Sequence, residues 1–492
     1  MKKSDENNKD VKLAQAPPQN EGNAVVQQVL DWDSPQDPEN PQNWPLGKKI
    51  YHTLCVAVYA FTITYMSSAY APGATQLAAQ LGVSETVSLL GVSLFCIGLS
   101  LGPVIASPLS ETFGRLIIYR LSLPISILFI IGSAVASNMA TIAVCRFFAG
   151  VFGSPALSVG GGTLADMWPR SMFGSATVTF LLAPFLGPSL APVIGGFVVE
   201  RKGWRWLEWV SVFISAATCL AALGMRETYK KVLLQRRAKK RGKLTASSHH
   251  RIHPLAAIRA WMREAMLRPL VILVSEPIVL FFSLYIGFDF AVLYAFFASL
   301  QLVFKETYGF NSHETGLTFL SLAVGAFLAT VTSLLMDQLI YQKKHRQLEN
   351  QGVKRVPPEY RLYPAMIGSV GVAGGLFWFA WTARPDVHWA SPVVALVPFN
   401  WGNLCIFSSA IIYIVDCYGP NYGASALSAN SFTRYIFAAA FPLFTIQMYN
   451  RLTYKWATSL LGFISVALIP IPWILFTWGA RIRQWSRLAM QA

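Results

Sequence analysis

Twelve long apolar runs constrain this chain more than any single motif in it. They lie near residues 51–71, 88–108, 116–136, 139–162, 173–198 and 204–225, then 270–301, 314–336, 362–382, 390–415, 424–449 and 457–479. Most are close to, or longer than, the roughly 20 residues a helix needs to cross hydrocarbon. In that solvent only helices and closed barrels keep every backbone N–H and C=O bonded, and apolar runs of this length predict helices. The expected fold is an all-α membrane protein with twelve transmembrane helices in two six-helix, pseudo-symmetric bundles, the outline of a duplicated unit.

Polar segments punctuate these runs. Residues 1–48 read as a disordered cytosolic tail, rich in Pro, Gln and Asn, with no cleavable signal peptide. The first bundle is expected over 49–225 and the second over 269–480, with a short cytosolic tail at 481–492. Between the bundles, residues 226–268 carry thirteen Lys or Arg against two Glu and read as a basic cytosolic linker. Arg115, Arg120, Arg170, the KKHR of Lys343–Arg346 and the last arginines fall on the same side as that linker. By the positive-inside rule that side is cytosolic. The same clustering explains the formal net charge of +16 through membrane orientation, without nucleic acid.

A few residues break the apolar pattern. Leu181–Val198 carries Pro184, Pro188 and Pro192 four residues apart, with Gly187, Gly195 and Gly196 among them. Such a helix belongs at a tightly packed seam, where neighbours satisfy the carbonyls that proline frees. Arg146 lies about 12 Å inside its span, counted at 1.5 Å per residue, and Arg434 at similar depth. Asp289 is the matching acid. Charges at membrane depth usually face a cavity or a partner. An acid near Arg146 would form a proton switch; the plainer alternative has Arg146 tying helices together through backbone carbonyls and Asp289 binding a hydroxyl. Tyr285, Phe288, Asp289, Tyr294, Asn430, Arg434 and Tyr435 form the candidate substrate cavity. No cysteine or histidine pattern points to a metal site, and no phosphate-binding Gly-rich loop ending in Lys-Ser or Lys-Thr points to ATP use, so no cofactor is expected.

On these residues the chain resembles the major facilitator superfamily, and within it the fungal twelve-span drug:proton antiporters, which include multidrug, polyamine and secondary-metabolite exporters. The matching motifs run along nearly the whole chain: DPENPQNW at Asp37–Trp44, GPVIASPLSETFGR at Gly102–Arg115, Arg146 with Gly150, the proline-rich stretch, GWRW at Gly203–Trp206, RETY at Arg226–Tyr229 and SEPIVLFFSLY at Ser275–Tyr285. The resemblance implies a cytosolic charge latch of Glu111, Gly114 and Arg115, proton coupling through Arg146, and an antiporter motif of Gly187, Pro188, Pro192, Gly195 and Gly196. The second-half copy of the latch is reduced to Asp337 and the more distant Lys343, and Asp289 stands where an apolar or aromatic residue is expected. The implied function is proton-coupled efflux of small amphipathic organic compounds by alternating access, by a monomer in the plasma membrane or the vacuolar membrane. Uptake of a nutrient or polyamine by the same fold is the alternative within transport, and a non-transporting receptor the alternative outside it. No covalent chemistry is implied.

Overall fold

The computed structural model describes residues 31–241, 267–352, 356–486 and 488–489. Among them every regular element is helical. In chain order they are α1 (Leu46–Ala69), α2 (Ala74–Leu81), α3 (Glu85–Phe113), α4 (Arg115–Val135), α5 (Met139–Gly153), α6 (Pro155–Met167), α7 (Arg170–Lys202), α8 (Arg205–Ala221) and α9 (Lys230–Lys240). After the linker come α10 (267–275), α11 (Pro277–Tyr308), α12 (Ser312–Thr318), α13 (Leu320–Met336), a π-helical turn (Asp337–Gln342), α14 (Lys343–Asn350), α15 (Tyr363–Thr382), α16 (Ala390–Leu468) and α17 (Pro470–Trp485).

Local chemistry sets many of these boundaries. Ser84 and Asn138 accept the N–H groups of Val87 and Thr141 at the starts of α3 and α5, and Asn311 with Glu314 forms a capping box on α12. Proline opens α6, α11 and α17, where its missing N–H is no loss. α16 is 79 residues long but is broken at Gly419 (φ 59°, ψ −162°) and Thr453 (φ 65°, ψ 159°). Among the described residues eleven stretches are long and apolar enough to cross a membrane, the last being Tyr422–Trp485. Thr453 divides that last stretch into two rods, giving the twelve spans that the sequence predicts.

Burial sorts the spans. The first and seventh, within Leu46–Leu81 and Pro277–Tyr308, bury 78% and 83% of their most apolar windows, whereas the third and sixth bury 39% each. Leu128, Val135, Phe213, Val331 and Phe463 stand exposed on the outer surface, as expected of side chains whose solvent is lipid. The interior therefore holds the polar exceptions.

One expectation is corrected here. Residues 31–44, read from the sequence as part of a disordered tail, are folded against α9. Asp31 pairs with Lys230 at 2.7 Å, Asp33 with Arg241, and Asp37 with Arg237. Asn43 donates to the carbonyls of Pro35 and Asp37, closing the turn-rich strap. The signal is in the sequence as four acidic residues, Asp31, Asp33, Asp37 and Glu39, and a distant basic run, but composition alone reads a Pro- and Asn-rich segment as unfolded. The remainder of the predicted tail, residues 1–30, lies outside the described residues.

The strap is tied by charge and so depends on pH. Hydrogen bonding from Arg237 holds the Asp37 carboxyl below the usual carboxylate range, and Lys230 does the same for Asp31. A depressed folded-state value means that the contact stabilises above the unfolded carboxylate pKa of about 3.9 and loses that stability as pH falls through the folded value. Amide protection of residues 31–44, measured against the intrinsic exchange rate at each pH, should therefore be high at neutral pH and fall in acid, and Asp37→Asn should lower it at neutral pH. Equal exchange in the two proteins would refute the charge tie.

Candidate functional site

The two sets of helices meet along α7, α12, α13 and α16, and between them lies a cavity of about 1240 Å³. Its walls come from α6 and α7 on one side and α16 on the other, with Phe180, Leu181 and Pro184 facing Phe407, Ile411 and Leu427. Arg434 and Tyr435 also line it. It reaches exposed Gln42 and Pro357, so its mouth is at the end of the molecule that carries the strap and the basic loops.

Two similar charge clusters frame that mouth. In the first, Arg115 donates to Asp166 at 3.2 Å and to Ser110 at 2.7 Å. Thr228 also donates to Asp166. Glu227 accepts the backbone N–H groups of Arg115 and Leu116 at 2.8 and 3.2 Å, capping α4 with a negative charge where the helix dipole favours one. Gly114 makes this possible: its φ of 97° suits glycine, and a Cβ there would strike the Glu227 carboxylate. The side chain of Glu111, the third member of the expected latch, lies outside the described residues. In the second cluster Arg361 binds Asp337 and Asp416, the latter at 3.3 Å, with its guanidinium over the Tyr341 ring. Arg361 is a member the sequence reading missed. It does the work expected of Lys343 but precedes the ninth span by two residues, as Arg115 opens the third. Arg483 with Glu359 adds a third pair.

The opposite end is closed. Ser67 and Tyr294 join hydroxyls at 2.7 Å across the halves, His313 binds Glu200 at 2.7 Å, and Thr86 binds the Gln447 amide at 2.8 Å. The proline-rich helix supplies the seam. α7 runs through Pro184, Pro188 and Pro192 without a break. Gly196 lies so close to Ser312 and His313 that a Cβ would meet their backbone, and a Cβ on Gly316 would meet the Pro192 carbonyl. Gly187 and Gly195 face their own half instead, against Thr64 of α1 and against Pro72 respectively.

Arg146 does not meet Asp289. It is fully buried and donates to the carbonyls of Gly91 at 3.1 Å and Met66 at 2.9 Å, tying α5 to α3 and α1. Its acid is Glu208 in α8, 3.6 Å away and equally buried. Gly150, one turn on, lets α5 approach α3 so closely that a Cβ would meet the Phe95 carbonyl. Glu208 was legible as an acid inside an apolar run, two residues past the GWRW motif, but the depth argument went to Asp289. Asp289 itself is buried in α11 with both carboxylate oxygens lacking a protein donor, and among the described residues no cation pairs with it. Helix geometry explains the difference: Tyr285 and Asp289, four residues apart, share one face of α11, while Phe290 turns toward Arg434.

The expected substrate cavity is therefore corrected to a smaller set. Arg434 and Tyr435 line it. Tyr285, Phe288, Asp289 and Asn430 are not among its lining residues, and Tyr294 belongs to the closed end.

The profile of the Major Facilitator Superfamily matches residues 56–442. The chain belongs to that superfamily. Among curated members, Polyamine transporter 4 of Saccharomyces cerevisiae is 39% identical over 96% of this chain and 75% of its own. The MFS-type transporter traF of Penicillium crustosum is 39% identical over 94% of each chain. The MFS-type efflux pump MFS2 of Trichophyton rubrum is 38% identical over 94% of this chain and 78% of its own. The solved proton:xylose symporter XylE from E. coli shares the fold at a TM-score of 0.62 and 15% identity, covering 88% of this chain and 96% of that one. The protein is thus a multi-pass membrane transporter of the superfamily, with a small-molecule substrate.

Two measurements test the geometry. Removing one member of a buried ion pair costs about 3–5 kcal/mol, so Glu208→Ala should lower the melting temperature in detergent far more than Asp289→Asn, which breaks no pair. Similar losses would show that the pair does not hold the first half together. At the seam, Gly316→Val should lengthen the distance between spin labels at positions 86 and 447. An unchanged distance would show that closure does not depend on that backbone approach.

Proposed function

We propose that the protein exports small amphipathic organic compounds from the cytosol in exchange for protons, by alternating access. The observation that carries the reading is a large cavity between the halves, walled in good part by aromatic and aliphatic side chains, open at the basic end and sealed at the other. With the basic end in the cytosol, the structure corresponds to the state that would load cargo from inside. Rupture of the Gly196, Gly316 and Tyr294 contacts would open the far end, while the charge clusters at Arg115 and Arg361 would close around the mouth.

Relatives named as efflux pumps support export over uptake, and the prolines and glycines of α7 support it through the resemblance to antiporters. Glu208 beside Arg146 and Asp289 without a cation are the two acids we assign to proton coupling. Each lies where loss or gain of one charge changes which helix arrangement is accommodated. One proton entering across 100 mV supplies about 2.3 kcal/mol, and each pH unit adds about 1.4. A single proton can thus sustain a solute gradient on the order of a hundredfold. We place the protein in the plasma membrane as a monomer.

The test is export from cells stripped of their own pumps, across a panel of amphipathic aromatic compounds, with and without a protonophore. Expression should lower retention of some compounds, and the protonophore should abolish the effect. Glu208→Gln, Arg146→Ala and Asp289→Asn should each cut export at least about tenfold, a loss of about 1.4 kcal/mol. Export indifferent to the protonophore would sink proton coupling, and export unchanged in all three variants would sink the assignment of its carriers.

A further inference from the structure

Charge balance inside the cavity leaves one group unexplained. Its described lining includes four arginines, Arg115, Arg361, Arg434 and Arg483, and three acids, Asp166, Glu359 and Asp416. The acids pair with Arg115, Arg483 and Arg361 in that sequence. His345 also belongs to the lining and lies 3.6 Å from Glu349. Arg434 remains. It is 8% exposed, its Nε makes no hydrogen bond, and among the described residues no carboxylate lies within ion-pair distance.

What surrounds that guanidinium is aromatic. Its central carbon lies 4.6 Å from the Phe290 ring, 4.8 Å from Phe407 and 4.4 Å from Tyr435. Phe185 packs against both phenylalanines, at 5.5 and 5.4 Å between ring centres. Cation–π contacts of this kind hold a desolvated guanidinium in place but offset only part of the cost of burying a charge. The cage keeps Arg434 oriented without neutralising it. A buried, oriented cation with unspent N–H donors on a cavity wall is an anion receptor.

We propose that Arg434 is the docking point for an acidic oxygen of the substrate, and that the cargo is a monoanionic aromatic or conjugated organic acid. This rests on the efflux reading and deepens it. The aliphatic and aromatic walls, Leu181, Pro184, Phe407 and Ile411 among them, suit the flat body of such a molecule. They disfavour a multiply charged anion, whose further charges would lie in apolar surroundings without a partner. A polyamine meets the opposite problem, since every acid in the described lining already holds an arginine.

The experiment is direct binding to the purified full-length protein in nanodiscs, by titration calorimetry, with no proton gradient. The probes are 1-naphthoate and 9-anthroate, each compared with its neutral amide. The acids should bind about tenfold or more tightly than the amides. Arg434→Gln should abolish that preference while leaving amide binding in place, and Arg434→Lys should retain part of it. Equal binding of acid and amide to the unmodified protein, persistence of the preference in Arg434→Gln, or failure of both acids to bind would each overturn the proposal. Should Arg434→Gln fail to fold, the acid–amide comparison and Arg434→Lys still decide the matter. Because no gradient is needed, a failure of proton-coupled export would leave this result standing on its own.

Discussion

Hydrocarbon offers no hydrogen bonds, so every polar group this chain carries into the membrane must be answered by another part of the chain or by a cavity. That constraint organises the structure. It makes the described regular elements helical, sends apolar side chains outward, and turns each interior charge into a statement about what lies next to it. Arg146 is answered three ways, by carbonyls of two helices and by Glu208. The result is a rigid joint between the first, second, fourth and sixth spans. Arg434 is answered by aromatic faces and the Tyr435 hydroxyl, with no carboxylate among the described residues, and it lies where a solute can reach it.

The same constraint explains why the two ends of the cavity are built from different materials. At the basic end closure rests on buried and part-buried salt links, which water entering through the mouth lets break and reform. The two clusters there are pseudo-symmetric. Arg115 holds Asp166 in the first half, and Arg361 holds Asp416 and Asp337 in the second. At the far end closure comes from backbone packed on backbone at Gly196 and Gly316, reinforced by hydroxyl and amide bonds. Close van der Waals packing has a short range and no tolerance for an added methyl group. A seam of this kind is either shut or open, which suits a machine with two states.

Duplication shows the limits of reading such a chain one motif at a time. The second-half latch is nearly absent when motif residues are compared in order, because a long loop separates Asp337 from its arginine, which stands two residues before the next span. In space the guanidinium arrives at an equivalent place. The motifs RETY and SEPIVLFFSLY make sense only there too. Glu227 caps α4 from over a hundred residues away, and Glu276 accepts the hydroxyl of Tyr418 at 2.9 Å.

Hydropathy and proline spacing alone determined the class of fold, the number of spans and the identity of the seam helix, because those follow from the length of apolar runs and from what hydrocarbon permits. Depth along a span is also a sequence property, and it marked Arg146 and Arg434 as exceptional. Facing is not. Which side of a helix meets a cavity, a neighbour or lipid depends on rotation and on the packing of other helices. That is why Asp289 was assigned to a cavity from which it turns away, and why Glu208 went unseen beside Arg146. Tertiary structure alone decided which charges are partners, and so left Arg434, among the described arginines that line the cavity, without a carboxylate.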